Sequence, residues 1–477
     1  MVRESVYIEP SKLKLAPPPP IHVRSSTAIF SGRPPTAQGN ESITPVARDR
    51  YGFKKATQNV TADQYDVWNL EYTNYLARRR KKWEALMKQH NLPTDKPTRF
   101  PPRSDKVKRY IRKGIPPEWR GAAWFWYAGG TEKLTQNAGL YWDLVEQVDQ
   151  GNLNETDRDL IERDLNRTFP DNIRFKPDFD PISNDLGRDS DPTLCSETAI
   201  LRALRRVLQA FAIHNPGIGY CQSLNFLAGL LLLFLDEDEE KAFHMLSIIT
   251  TVHLPGTHSR VLEANVDMGV LMSCIRESMP AIWTKIDDVH LLNAGTHFSA
   301  NNARLPTISL ATTAWFMSLF VGNLPIETVL RVWDSFFYEG SKTLFRISLA
   351  IFKVGEPDIR SIHDHMEIFQ VIQTIPRRLV DANKLMEACF RRRNGFGHMS
   401  QDTIDSRRAE RRKQHVADMA KMNTLNSVTS GKSGKSGALA PPVDADEERP
   451  PAGMRRSASK RFKRSMSRKR TAKNQKA

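Results

Sequence analysis

The chain has 477 residues, 40% of them hydrophobic, and a formal net charge of +16. That charge is unevenly placed: residues 391–477 hold 23 basic and 8 acidic side chains, whereas 111–390 hold 26 basic and 36 acidic. A mildly acidic middle with basic ends argues against a nucleic-acid-binding fold, which would concentrate positive charge on the folded part itself.

Residues 1–50 are rich in Pro, Ser and Thr and include the run Pro17 to Pro20. They have too few large apolar groups to offset their ordering entropy, so this segment is expected to be disordered. Met1 to Ser5 lack the apolar core of a secretion signal. The four cysteines, Cys195, Cys221, Cys274 and Cys389, stand far apart without a CxxC pair. Reduced thiols in a cytosolic setting are expected, with no disulfide framework, zinc site or other metal centre.

In residues 51–105, Tyr65, Trp68, Tyr72, Leu76, Trp83 and Leu86 recur at helical spacing, so an amphipathic helical extension is predicted. Arg78 to Lys82 fall mostly on its other face. From 106 to 395 the chain reads as helix after helix, separated by turns such as Asn215-Pro216-Gly217 and Leu324-Pro325. Alternating strand patterns are scarce, and the fold class is all-α, with a dozen or more helices. The greasiest run, Phe226 to Leu235, is too short to span a bilayer.

Residues 396–477 are expected to form a disordered basic tail, although Arg407 to Lys413 are compatible with a helical continuation. Gly431 to Gly437 contain two GKS triplets, but Asn426 and Thr429 occupy the places where a phosphate loop needs glycine. Met454 to Ala477 hold 11 Lys/Arg and no acidic residue. Such a tail suits an anionic membrane surface, a nuclear-import signal or a nucleic-acid patch. The serines and Thr471 among these basic residues would allow phosphorylation to discharge it.

Two segments carry chemistry. In Ile161-Glu162-Arg163-Asp164-Leu165-Asn166-Arg167-Thr168-Phe169-Pro170, the proline biases Phe169 away from helical angles, so a helix from Thr156 should stop near Arg167 or Thr168. Arg167 there can reach a partner, or simply complement the negative end of the helix dipole. In Gly219-Tyr220-Cys221-Gln222-Ser223-Leu224, Gln222 is placed in the first turn of the next helix. It can sit beside a phosphate there, or serve as a helix-start residue.

Taken together, these segments resemble the TBC domain, the catalytic module of Rab GTPase-activating proteins. Ile161, Asp164 and Arg167 match its IxxDxxR motif, and Tyr220 to Gln222 match its YxQ motif. Lys113-Gly114-Ile115-Pro116-Pro117-Glu118-Trp119-Arg120-Gly121 resembles the opening of the domain, and Leu330 to Asp334 with Gly340-Ser341-Lys342 its late helical block. The resemblance spans about 110–390. It implies a TBC-type domain over 106–395, built of two helical subdomains between disordered tails.

By the same resemblance, Arg167 is an arginine finger and Gln222 a glutamine finger, both inserted in trans into a GTP-bound Rab-family GTPase. Asp164 and Tyr220 are supporting residues, whereas Gly114, Arg120 and Trp124 are structural. The protein would then have no cofactor of its own, because GTP and Mg²⁺ arrive with the partner. A cytoplasmic, vesicle-trafficking role is implied, with peripheral attachment to endomembranes through the basic tail. A TBC-type scaffold that binds a Rab without accelerating hydrolysis is the alternative. One departure stands out: Ser223-Leu224 follow the glutamine where the family commonly has glycine and methionine. Altered fit or partner preference, with activity retained, is the expectation.

Overall fold

The structure, a computed structural model, describes residues 46–178, 197–259, 264–288 and 305–430. The tetraproline, Cys195, the GKS triplets and the basic tail from Met454 lie outside the described residues. Within them the chain is helical throughout, and the only extended pairings are two isolated bridges, Arg48–Lys54 and Phe53–Asn172.

The helices form two packed groups. In the first, Ala199–His214 lies against Leu140–Asp149, Glu155–Leu165, Leu224–Phe234 and Glu239–Ile248. In the second, Ile326–Glu339 and Lys342–Val354 pack on each other, on Asp105–Arg112 and on Ala382–Phe390. Helix Arg120–Tyr127 touches both groups, meeting Leu224–Phe234 on one side and Ile326–Glu339 on the other. Gly121 permits that approach, since a Cβ there would fall 1.8 Å from the Phe234 carbonyl oxygen.

Trp124 occupies the junction, fully buried, with ring centroids 5.2 Å from Phe234, 5.4 Å from Trp333 and 5.7 Å from Phe337. Its indole nitrogen donates to Asp334 Oδ1 at 2.9 Å, and the Ile115 amide donates to Asp334 Oδ2 at 3.0 Å. Arg120, completely buried, completes the arrangement: its guanidinium lies 3.4 Å from Asp334, 2.8 Å from Glu327 and 2.7 Å from the Tyr51 hydroxyl. Buried charges are tolerable only when paired, and Arg120 is paired with both carboxylates through Nε and Nη1. Burial alone would raise the carboxyl of Glu327, yet Arg120 and Tyr51 hold it below the usual range.

The predicted amphipathic extension is a helix at Ala62–Gln89, begun by a Thr61–Gln64 capping box. It is docked: Trp83 is buried and donates to the Gly114 carbonyl at 2.8 Å, next to the domain's opening motif. Arg79 departs from the expected basic face. It is buried and donates to the Tyr110 carbonyl at 2.9 Å.

Two features differ from the expected boundaries. The division at residue 50 cuts through a hairpin running from Arg48 to Lys54. Beyond 396 the expected disorder gives way to a helix at Gln401–Ser430, which packs along Ala264–Ser278. Arg408 holds it there, its buried guanidinium forking onto Asp267 at 2.7 and 3.2 Å. No described helix is long and apolar enough to cross a membrane.

Removing Asp334 leaves Arg120 short of one carboxylate and strands the Trp124 indole and Ile115 amide. Asp334→Ala is therefore expected to cost about 3–5 kcal/mol, as for other broken buried pairs. The check is a urea unfolding curve with a lowered midpoint.

Candidate functional site

Asn154 opens helix Glu155–Leu165 by accepting the Thr156 amide at 2.8 Å, and the helix ends at Asn166. One tight turn follows, in which the Arg167 amide donates to Asp164 O at 3.1 Å and the Thr168 amide to Leu165 O at 3.0 Å. Phe169 then takes a positive φ of 46° and buries its ring, which directs the chain sharply away. Ile161, Asp164, Leu165 and Thr168 are buried, while the Arg167 side chain is 63% exposed. The helix thus stops at Leu165, with Asn166 as its cap, slightly before the expected Arg167 or Thr168, and the arginine is turned outward in the turn that follows.

The second motif follows a turn at Asn215-Pro216-Gly217, where the Asn215 carbonyl accepts from Ile218 at 2.9 Å and Gly219 at 2.7 Å. Tyr220 is then drawn onto the first helix. Its amide donates to Asp157 Oδ1 at 3.2 Å and its hydroxyl to Asp164 Oδ2 at 2.7 Å. Burial and the Asp164 hydrogen bond push the Tyr220 hydroxyl upward from its ordinary range, so it stays a donor. Asp164 Oδ1 faces Arg167 across 3.8 Å. One carboxylate therefore receives the tyrosine of one motif and leans on the arginine of the other.

Asn225 adds a second link, with its amide nitrogen donating to Thr168 Oγ1 at 2.9 Å and to Asp164 O at 3.4 Å. Thr168 in turn donates back to Asp164 O at 2.9 Å. Asp157, Thr168 and Asn225 were not singled out in the sequence. The signals were present, since Asn225 is the one polar side chain between Leu224 and Phe234, and Asp157 precedes Asp164 by seven residues on one helix face.

Gln222 is exposed, as expected, but not in the helix's first turn. The helix begins at Leu224, and Gln222 lies in the turn before it. Ser223, at the helix's N-cap, has a φ of 95°, in the left-handed region that favours glycine. The backbone at this position is one that side-chain-bearing residues seldom adopt, so the serine stands where glycine would be unstrained.

The site presents a cation and an amide on a braced surface. Cys221, which separates Tyr220 and Gln222, has its thiol pushed up to about 11 by burial, so it is a poor nucleophile at neutral pH. Among the described residues no three His, Cys, Asp or Glu side chains are grouped to hold a metal. His258 is buried, with Nε2 2.9 Å from the Met317 carbonyl. Gly114, Arg120, Trp124, Arg331 and Asp334 belong to the structural junction.

Residues 117–360 match the family model of the Rab-GTPase-TBC domain. The chain is 44% identical over 420 residues to the GTPase-activating protein GYP3 of Saccharomyces cerevisiae, covering 78% of this chain and 64% of that protein. It is 40% identical over 408 residues to the GTPase-activating protein MSB4 of the same yeast, covering 76% and 80% respectively. The growth hormone-regulated TBC protein 1-A of Danio rerio is 31% identical over 373 residues, covering 78% and 91%. This chain therefore spans just under two thirds of GYP3's length and most of the other two. Among solved structures, the Chlamydomonas flagellar RabGAP TBC domain superposes with a TM-score of 0.54 at 28% identity, covering 72% of this chain and 99% of that one.

A left-handed conformation costs a side-chain-bearing residue about 1–2 kcal/mol; glycine removes that strain but gives back part of the gain through its greater freedom when unfolded. Ser223→Gly is accordingly expected to stabilise the protein by roughly 0.5–1 kcal/mol. A urea midpoint shifted upward at unchanged slope is the measurement.

Proposed function

The chain belongs to the Rab-GTPase-TBC domain family, and from that premise we propose that it accelerates GTP hydrolysis on a Rab-family small GTPase, with Arg167 and Gln222 acting in trans. Hydrolysis takes place on the partner, which brings the nucleotide and its Mg²⁺. What this chain adds is charge and position. Phosphoryl transfer to water develops negative charge on the transferred group, and an inserted arginine that spreads its own charge over a planar fork is worth about 10³–10⁵ in rate. Gln222 would hold the attacking water through its amide, a group with both a donor and an acceptor.

The observation that carries this reading is the Tyr220–Asp164 hydrogen bond of 2.7 Å. It ties the two motifs through their buried supporting residues while Arg167 and Gln222 stay exposed. A scaffold that only bound a GTPase would have no use for a cation and an amide braced in this way. The buried shell also supplies preorganisation, since its cost is met on folding and not at the moment of reaction.

Vesicle traffic at endomembranes, with Met454–Ala477 attracted to anionic lipid from the cytoplasmic side, is the cellular half of the proposal. It is supported by the tail's 11 basic and no acidic residues.

The experiment is a GTP-hydrolysis screen across Rab-family GTPases with the purified full chain. Arg167→Lys is expected to lose at least about 10³-fold of the stimulated rate, because lysine keeps the charge but not the fork. Gln222→Ala is expected to lose most of it as well, with both variants retaining wild-type unfolding midpoints. Tight binding to a GTP-loaded Rab with unchanged hydrolysis would assign a scaffold instead.

A further inference from the structure

The segment before the leading helix forms a small, tightly closed hairpin. The Asp49 amide donates to Phe53 O at 2.7 Å, and Asp49 Oδ1 accepts the amides of Tyr51 and Phe53 at 2.8 and 2.9 Å. Gly52 sits at φ 89°, and a Cβ there would meet the Ile173 side chain at 3.0 Å. Glycine is required by both the turn and the close approach.

This hairpin lies directly on the stretch that follows Arg167. The Lys54 amide donates to Asp171 O at 3.1 Å, the Ile173 amide to Gly52 O at 3.1 Å, and the Asn172 side-chain amide to Tyr51 O at 2.9 Å. Phe53 packs edge-on against Phe169, two residues past the arginine, at 5.4 Å. Arg48 is mostly buried, at 12% side-chain exposure. Its guanidinium donates to Gly52 O and Asp171 O at 2.8 Å each and pairs with the Asp178 carboxylate at 2.6 Å.

The other end of the hairpin is bolted to the core. The Tyr51 hydroxyl donates to Glu327 Oε2 at 2.8 Å and accepts from Arg120 at 2.7 Å, within the buried ion network at the junction. Between hairpin and core the flank is open. A cavity of about 460 Å³, bounded by Phe53, Phe169, Pro170, Asp171, Leu324 and Val329, separates the post-arginine stretch from the loop before Ile326. Phe169 packs on Phe226 at 5.7 Å and Phe175 at 5.2 Å, and beside the cavity the backbone of 171–173 is held by the hairpin.

We propose that Arg48–Lys54 is a clamp that orients the Arg167 turn, with Arg48 and Phe53 as positioning residues. The clamp lies upstream of the family-matched 117–360. It rests on the reading of Arg167 as a finger, but its mechanical part can be measured without any GTPase. A cation borne on a loosened turn still binds, yet spends less time where the transition state needs it, so the clamp should act on kcat more than on KM.

The test compares the full chain with Arg48→Met, Phe53→Ala and Arg48→Lys. Hydrogen exchange on the free proteins should quicken at least about 10-fold for amides of residues 166–175, Ile173 above all, with Ala199–His214 unchanged. Stimulated hydrolysis should fall by about 10- to 100-fold in kcat with little change in KM, the scale of an ångström-size misplacement. Arg48→Lys, keeping the charge but not the fork, should fall between. Unaltered exchange at Ile173 in Arg48→Met and Phe53→Ala overturns the clamp, whatever the hydrolysis result. Loosened exchange with undiminished kcat overturns its positioning role. A wild-type chain that stimulates no Rab overturns the proposed function instead, and the exchange measurement still decides the clamp.

Discussion

Asp334 is a single carboxylate on which both halves of the fold converge. It accepts from the Trp124 indole and the Ile115 amide and faces Arg120, partners more than 200 residues earlier in the chain. Trp124 in turn touches the end of one helical group and the middle of the other. A buried carboxylate without such partners would be several kilocalories out of balance, so the helices that supply them must arrive together. Arg120 extends the same network to Glu327 and Tyr51, and so to the hairpin that rests on the Arg167 turn. The junction and the candidate site are thus mechanically continuous.

A division of labour runs through that site. The two residues proposed as fingers, Arg167 and Gln222, are exposed, while Asp157, Asp164, Thr168, Tyr220 and Asn225 beneath them are buried. The Asp164–Arg167 pair at 3.8 Å contributes little by itself, as exposed pairs are worth about 0–1 kcal/mol. Asp164, its side chain only 10% exposed, is instead held by the Tyr220 hydroxyl at 2.7 Å. The arginine leans on a fixed carboxylate yet remains free to leave it for a stronger anion.

Much of the helical architecture was legible because it is a local property. Ile326–Glu339 and Lys342–Val354 carry long apolar periods and clear turn signals, and they form nearly where those signals put them. Asp105–Arg112 and His365–Thr374 fall within the stretch read as helix after helix, and each is short and packs on a helix remote in sequence. Gln401–Ser430 is polar along most of its length, and its docking rests on Arg408 reaching an aspartate 141 residues earlier. Composition alone made it look like tail.

The two motifs were readable in the same way. IxxDxxR and YxQ are short strings, and the proline after Phe169 marked where the first helix had to stop. Local pattern specified the all-α class, many helix ends to within a turn, and the residues offered for chemistry. Tertiary structure alone decided that Tyr220 meets Asp164 across 56 residues, that Arg48 meets Asp178 across 130, and that Gln222 stands before its helix on a left-handed Ser223. Periodicity and turn chemistry act over a few residues and leave a trace in the local pattern. Pairings between remote polar groups leave none, because which donor meets which buried acceptor depends on how the helices pack around both.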